Sequence, residues 1–138
     1  MKRSRNIKYI WHDVESSLWE VILARGDRRL NDVILEGYKK GCFYDAWDIG
    51  IVSDSNYMSA ELLEETWTNI PQYLNGYKNE AYDDIPIVTG FIAKDKKGNI
   101  TTLGRGGSDL TATMIGAAMK AEEVQTWKDV DGILTTDP

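Results

Sequence analysis

Residues 101–120, TTLGRGGSDLTATMIGAAMK, place three glycines, one arginine, one serine and one aspartate in six consecutive positions and then continue into small and apolar residues. The second half of this stretch predicts a helix over residues 108–120. A helix N-terminus has unpaired backbone N–H groups and partial positive charge, and glycines in front of it let a ligand approach closely. A helix that begins at such a loop is therefore a candidate anion site.

Two interpretations of this loop stay open from the residues alone. In the first, an anionic ligand is held by the Arg105 guanidinium, which suits a carboxylate or a phosphate, and by the backbone of Gly106, Gly107 and Ser108. In the second, the loop is an ordinary glycine-rich turn, in which Arg105 lies on the surface and Ser108 only caps the helix. Glycine loops without further context are weak functional signals.

The remaining sequence predicts alternating helices and strands. Apolar spacing predicts a helical hairpin from residues 13–25 and 28–41, with Gly41 ending the second helix. The other predicted elements are a strand over 45–54, a helix over 59–77 that Ser59 caps and Pro71 breaks or kinks, a strand over 85–95, a hairpin over 94–104 that turns at Gly98 and Asn99, and a strand within 122–138. This order favours parallel strands with helical crossovers.

Composition limits the class of protein. The chain of 138 residues is 42% hydrophobic and carries a net charge of −6 without a long basic run, which indicates a globular domain and argues against nucleic acid as a partner. No stretch approaches the roughly 18 apolar residues of a membrane span, and no signal peptide follows the basic start. Cys42 is the only cysteine, so we expect a cytoplasmic protein without disulfides. A homo-oligomer stays open.

Residues 44–138 resemble the central part of aspartokinases, in the amino-acid kinase superfamily. The resemblance rests on TLGRGGSD (102–109), WKDVDG (127–132) and TTDP (135–138), which occur in the family's order and at its spacing. Upstream, residues 44–67 are similar to a strand, loop and helix of these enzymes. The resemblance implies an α/β fold, a three-layer αβα sandwich around a mainly parallel sheet, which is incomplete in this chain and follows the N-terminal helical hairpin.

The resemblance also implies a reaction, the transfer of a phosphoryl group from ATP to the side-chain carboxylate of L-aspartate. This reaction is the first step towards lysine, threonine and methionine. By similarity, Arg105 pairs with the α-carboxylate of the substrate, and Gly106, Gly107 and Ser108 complete the substrate site. Asp109 is implied as a catalytic residue that organises the phosphate end, by orienting a catalytic lysine or the metal ion. Phosphoryl transfer depends on charge and positioning, with Mg²⁺ as the accompanying ion.

The same resemblance assigns the nucleotide site to the C-terminal motif. Lys128 and Asp129 fall where the family holds the adenosine part of ATP, and Leu134 falls where some relatives place a tyrosine against adenine. Leucine keeps the apolar contact and loses the hydroxyl. Asp129 and Asp131 could also form a metal-binding pair, but we favour Asp129 near ribose or adenine and Asp131 in the turn, so no metal ligand is assigned.

The first part of the chain departs from the aspartokinase pattern. It lacks the KFGGTS-like phosphate loop with its lysine and the GE…ST substrate segment, so we expect these 138 residues alone to have little or no kinase activity. Residues 8–47, and ARGDRRLNDVILEGYKKGC (24–42) above all, resemble a C-terminal portion of radical SAM proteins, without the CxxxCxxC cluster. We therefore predict a helical segment of separate origin over 1–43 and a partial kinase domain over 44–138.

Alternatives of a different class stay open. The chain could be a kinase for another amino acid or for carbamate, or a non-catalytic nucleotide- or amino-acid-binding remnant or fusion product. Among other polar residues, His12 is interpreted as a surface or packing residue, because no nucleophile lies near it in the sequence. Asp48, Asp54 and Ser55 border the first predicted strand, and we favour loop capping for them over a place in the site.

Overall fold

The computed structural model describes residues 7–12, 20–25, 41–78 and 85–127, and every structural statement below concerns this part of the chain. Its side chains are described over 41–75 and 85–126. The strands are β1 (Ile7–His12), β2 (Glu20–Arg25), β3 (Gly41–Tyr44), β4 (Val52–Ser53), β5 (Ile85–Thr89), β6 (Ile92–Asp95), β7 (Ile100–Thr102) and β8 (Glu123–Trp127). The α-helices are α1 (Thr66–Lys78) and α2 (Gly107–Ala118).

These strands form two sheets. The larger has the order β3-β5-β2-β1-β8, and the smaller has the order β4-β6-β7. The pairs β1–β8, β3–β5 and β4–β6 are parallel, as expected for strands joined by crossovers. Strand β2 runs antiparallel to both of its neighbours, β1 and β5. The predicted α/β class is confirmed, and its larger sheet is mixed because β2 lies in the middle.

The predicted N-terminal helical hairpin is wrong where the structure describes it. Glu20–Arg25, the end of the first predicted helix, is strand β2, and Gly41 begins strand β3 instead of ending a helix. Short apolar runs such as residues 21–24 fit a helix or a buried strand equally well, and pairing with β1 and β5 decides for the strand. Residues 13–19 and 28–40 lie outside the described part.

The larger sheet also bears on the predicted division of the chain. It combines β1, β2 and β3, which precede or reach residue 44, with β5 and β8 from the predicted kinase segment. Both predicted segments therefore contribute strands to one sheet, and the boundary between residues 43 and 44 stays a prediction.

The segment 45–54, predicted as a strand, is mostly not one. It forms a 3-10 helix over Ala46–Ile49, followed by Gly50 in the left-handed region and then by the short strand β4. A capping box forms at its start, where the Asp48 Oδ2 accepts a hydrogen bond from the Asp45 backbone N–H at 2.9 Å. Local capping thus outcompetes the strand tendency of the apolar residues in this segment.

The predicted strand over 85–95 is two strands in different sheets. Strand β5 belongs to the larger sheet and β6 to the smaller one, and the chain turns between them at Gly90 and Phe91. Phe91 has φ 72°, in the left-handed region. The whole run is mostly apolar and β-branched, so its composition does not reveal the turn. Tertiary contacts of Phe91 stabilise this turn.

Helix α1 begins at Thr66 rather than after Ser59, and Pro71 lies inside it without ending it. The preceding residues bond to strands instead of starting a helix. Ala60 N–H donates to the Thr102 carbonyl at 2.9 Å, and Leu63 N–H donates to the Val52 carbonyl at 2.9 Å. The Thr66 hydroxyl then donates to the Val52 carbonyl and accepts from its N–H, which attaches the start of α1 to β4.

Three predictions near the C-terminal end are confirmed. Strands β6 and β7 form the antiparallel hairpin, with Gly98 at its turn in the left-handed region. Helix α2 spans Gly107–Ala118, and β8 follows it. Helix α2 packs against β1, β2 and β8 and against α1. Its buried residues Ala112 and Ile115 and its C-cap residue Met119 join Ile70 and Leu74 of α1 in the hydrophobic core.

Gly50 lies directly against helix α1. Its φ is 80°, and a Cβ added there would lie 2.5 Å from the Asn69 Cβ in helix α1. The Asn69 side-chain amide donates to the Gly50 carbonyl at 3.1 Å, so the helix cannot move away without losing this bond. Gly98 has a similar φ of 84°, but a Cβ there would meet nothing within 4 Å.

The pair Gly50→Ala and Gly98→Ala therefore separates backbone strain from steric overlap. We expect Gly98→Ala to lower the free energy of unfolding by about 1–2 kcal/mol, from the left-handed conformation alone. We expect Gly50→Ala to lower it by roughly 2–4 kcal/mol, since overpacking adds to the same strain. Urea unfolding followed by circular dichroism measures both, and equal losses would contradict the close contact between Gly50 and α1.

Candidate functional site

The glycine loop, residues 104–107, reaches helix α2 through two left-handed residues. Gly104 has φ 75° and Gly106 has φ 78°, and Gly106 is the N-cap residue of α2 without a side-chain cap. Gly107 N–H donates to the Gly104 carbonyl at 3.0 Å, which closes the turn. Such a turn needs residues that tolerate positive φ, and glycine does so without strain.

Ser108 does not cap the helix, contrary to the second interpretation of the loop. It is the second residue of α2, and the residue is buried with 6% relative exposure. The N-cap position falls on Gly106, because the left-handed turn brings the chain into the helix earlier than a serine cap would. Gly107 and Ser108 are both buried, so the exposed part of this helix end is Arg105 and the N-cap residue Gly106.

Arg105 and Gly106 face the outside of the loop. Both residues are exposed, and the Arg105 guanidinium forms no ion pair with any residue that the structure describes. A Cβ on Gly106 would meet nothing within 4 Å, so the space beside it is open. A positive side chain, open backbone and a helix N-terminus occur together here, and this combination can bind a carboxylate or a phosphate.

Phe91 forms the inner side of the loop, and the sequence did not single it out. A Cβ on Gly107 would lie 2.9 Å from the Leu103 Cβ and 3.0 Å from the Phe91 Cδ2, so the start of α2 packs closely on the turn between β5 and β6. The Leu103 N–H donates to the Phe91 carbonyl at 2.9 Å. Gly90 in a strand-like run was the signal that could have indicated a close approach of backbone here.

Asp109 lies half-buried in the first turn of α2, where the helix dipole favours negative charge. Its carbonyl accepts a hydrogen bond from the Thr113 hydroxyl at 2.8 Å. In the described ranges, no three or more His, Cys, Asp and Glu side chains come together as a metal site. Asp109 thus lies next to the glycine loop, and its catalytic role stays a prediction.

The predicted nucleotide residues Lys128, Asp129 and Leu134 lie outside the described residues, as does Asp131. They follow the end of β8, which is parallel to β1. His12 ends β1 and pairs in register with Glu20 of β2 and Trp127 of β8.

The loop after β4 uses its polar side chains for capping, as the sequence favoured. The Asp54 Oδ1 accepts hydrogen bonds from the backbone N–H groups of Asn56 and Glu61, each at 3.1 Å. The Ser55 hydroxyl donates to the Asp95 Oδ2 at 3.0 Å. These bonds shape the loop and attach it to the hairpin of β6 and β7.

Asp95 is the acceptor at the centre of that attachment, and the sequence did not predict it. Its carboxylate accepts from the backbone N–H groups of Lys97 and Asn99, the Asn99 side-chain amide and the Ser55 hydroxyl, at 2.8–3.1 Å. The side chain is buried, which opposes the charge, but these donors outweigh burial and lower the pKa of Asp95, with the Asn99 side-chain amide as the largest cause.

Comparison with known proteins defines the class. The model of the amino acid kinase family matches residues 28–138. The chain belongs to the amino acid kinase family. Within it, the chain is 50% identical over 97 residues to aspartokinase 1, chloroplastic, of Arabidopsis thaliana, which covers 69% of this chain and 17% of the relative. It is 43% identical over 137 residues to the aspartokinase of Rickettsia prowazekii, which covers 99% of this chain and 28% of the relative.

A solved structure supports the same fold. E. coli aspartokinase III, in complex with aspartate and ADP, is similar with a TM-score of 0.61 and 32% identity, over 77% of this chain and 23% of that chain. The chain thus spans less than a third of the aspartokinases it matches. Within the described residues, no helix is long and apolar enough to cross a membrane.

The resemblance of residues 8–47 to radical SAM proteins is not supported by these comparisons. The family model begins at residue 28, inside that segment, and the match to the Rickettsia prowazekii aspartokinase covers 99% of the chain. The similarity to aspartokinases therefore extends well before residue 44, where the sequence had placed its start. A divergent kinase sequence explains these residues without a second family.

The lowered pKa of Asp95 predicts how pH acts on stability. A carboxylate with a folded-state pKa below its unfolded value, about 3.9, stabilises the fold above that value and loses this contribution as pH falls through the folded-state pKa. We expect Asp95→Asn to lower the urea midpoint at pH 7, because an amide N–H₂ would face the Asn99 and Ser55 donors. The difference from the unsubstituted chain should shrink as pH falls below about 4.

The control is Glu64→Gln, at an exposed carboxylate. This substitution should leave the urea midpoint nearly unchanged, both at pH 7 and below about pH 4. A difference between Asp95→Asn and the unsubstituted chain that stays constant from pH 7 to pH 3 would show that the Asp95 charge does not stabilise the fold.

Proposed function

We propose that this chain carries part of an aspartate kinase, which transfers the γ-phosphoryl group of ATP to the side-chain carboxylate of L-aspartate and forms 4-phospho-L-aspartate. The observation that carries the proposal is the exposed Arg105 beside the open, left-handed Gly106 at the N-terminus of α2. The similarity to aspartokinases supports it, since the E. coli enzyme is described in complex with aspartate and ADP.

In this proposal the glycine loop binds the amino acid. The Arg105 guanidinium pairs with the α-carboxylate, because its planar fork matches the two oxygens. The backbone of Gly106, Gly107 and Ser108 places the positive end of the helix dipole at the ligand. The Gly107 N–H donates to the Gly104 carbonyl, so Gly107 contributes by shaping the turn. The buried Ser108 side chain is part of the helix packing, so its contribution to the ligand comes from its backbone.

The phosphate end of the site is assigned to Asp109. It is the acidic residue in the first turn of α2 and adjoins the loop residues proposed to hold the substrate. Mg²⁺ in such sites is held by one or two carboxylates together with substrate phosphates, so one carboxylate here fits that ion. When bound, Mg²⁺ would neutralise phosphate charge. We assign the adenosine part of ATP to Lys128, Asp129 and Leu134.

Homo-oligomerisation and a cytoplasmic location stay predictions.

Substitution of Arg105 tests the amino-acid site. We expect Arg105→Ala to weaken L-aspartate binding by about 10- to 100-fold, the value of a charge-assisted bidentate contact, and Arg105→Lys to weaken it less. The thermal midpoint should not change, because the side chain is exposed and unpaired with described residues. Isothermal titration calorimetry on the full chain measures affinity for L-aspartate, L-glutamate and Mg·ATP.

Lys97→Ala is the matched control, since it also removes one exposed positive charge, from the turn between β6 and β7. It should leave L-aspartate binding unchanged. Equal affinity of Arg105→Ala and the unsubstituted chain would refute the assignment of Arg105. Tighter binding of L-glutamate than of L-aspartate would favour a kinase for another amino acid. ADP release at an ordinary rate in a coupled assay would contradict the expectation that these 138 residues alone have little or no kinase activity.

A further inference from the structure

Thr111 connects the glycine loop to the turn between β5 and β6 through one hydroxyl group. It is fully buried in α2. The hydroxyl donates to the Gly107 carbonyl at 2.8 Å, one helical turn earlier, and accepts the Phe91 backbone N–H at 3.2 Å. Since the single hydroxyl proton is directed to Gly107, the lone pairs remain for Phe91.

The residue that Thr111 contacts is in an unfavourable conformation. Phe91 has φ 72°, which is a genuine outlier for a bulky side chain and persists only where the surroundings determine it. Its carbonyl is bonded by Leu103 N–H, and its ring lies against Gly107. Thr111 supplies the remaining contact, to the N–H, so the turn is held on both of its backbone polar groups.

We propose that Thr111 is a positioning residue for the glycine loop. Its hydroxyl holds Phe91 in the left-handed conformation at a fixed distance from the Gly107 carbonyl, and thereby sets the position of the first turn of α2 beside Gly106. Thr111 touches no ligand in this scheme and acts through Phe91 and Gly107. The inference deepens the proposed function, on which its ligand-binding part rests.

Thr113 offers a matched control in the same helix. Its hydroxyl also bonds the carbonyl four residues earlier, that of Asp109, at 2.8 Å, but the side chain is exposed and its second bond goes to Leu110 in the same helix. Replacement of either threonine by valine keeps the shape and removes the same intrahelical bond. Only at position 111 does the change also remove the bond to Phe91.

The first measurement is amide hydrogen exchange of the full chain, followed by NMR, and it needs no ligand. Exchange reports local opening of single hydrogen bonds. Thr111→Val should accelerate exchange of the Phe91 amide by about tenfold or more, whereas Thr113→Val and Thr111→Ser should keep it within about threefold. Unchanged Phe91 exchange in Thr111→Val, or equal acceleration in Thr113→Val, would overturn the proposal.

The second measurement is L-aspartate affinity of the same variants. Thr111→Val should weaken binding by about tenfold, with recovery in Thr111→Ser and no change in Thr113→Val. Full affinity in Thr111→Val would show that the hydroxyl does not position the loop for the ligand. If the unsubstituted chain binds no L-aspartate, the proposed function fails, while the exchange result still decides whether Thr111 holds Phe91.

A double-mutant cycle separates the positioning role of Thr111 from general packing. Glycine adopts positive φ without strain, so a Phe91→Gly background should make position 111 less important. We expect Thr111→Val to lower the urea midpoint less in that background than in the unsubstituted chain. An equal loss in both backgrounds would show that Thr111 acts by general packing and would refute the positioning role.

Discussion

The left-handed turn at Phe91 is the constraint on which the arrangement of this chain depends. It lies between β5 of the five-stranded sheet and β6 of the three-stranded sheet, so the chain passes directly from one sheet to the other here. A bulky side chain does not adopt this conformation by its own preference. The turn is kept by the hydrogen bond that Phe91 accepts from Leu103, by the one that it donates to Thr111 and by the close contact with Gly107. It thereby places the glycine loop against the passage between the two sheets.

Local signals predicted two elements that follow this turn in the sequence, although the turn itself was not predicted. The helix after the glycine loop and the hairpin at Gly98 follow from nearby residues alone, namely apolar spacing in α2 and a glycine that accepts positive φ. The residues of β2 were predicted as a helix. This prediction was wrong because one of the two strands that pair with β2, β5, lies far along the sequence. The start of α1 failed for the same reason, since strands β4 and β7 bind the residues before Thr66.

The candidate site divides in a similar way. Arg105 and Gly106 could be singled out as candidates from the sequence. A guanidinium next to glycines at a helix N-terminus is a combination suited to anions. Phe91 and Thr111 could not be singled out, since a phenylalanine in a strand-like run and a threonine in a helix are ordinary in sequence. Their importance comes from a backbone angle and a hydrogen bond between distant segments, which only the folded arrangement creates.

Two neighbouring glycines show why the loop can combine rigidity with an open face. Gly107 has no positive φ, and Leu103 and Phe91 occupy the space that its side chain would need. This glycine is therefore required for close packing. Gly106 has φ 78° and nothing in contact with its missing side chain, so this glycine serves the turn and leaves space. A side chain at position 107 would disturb the support, whereas one at position 106 would occupy the open face itself. The open face of the loop therefore consists of Gly106 and Arg105, and its position depends on the packed residues behind it.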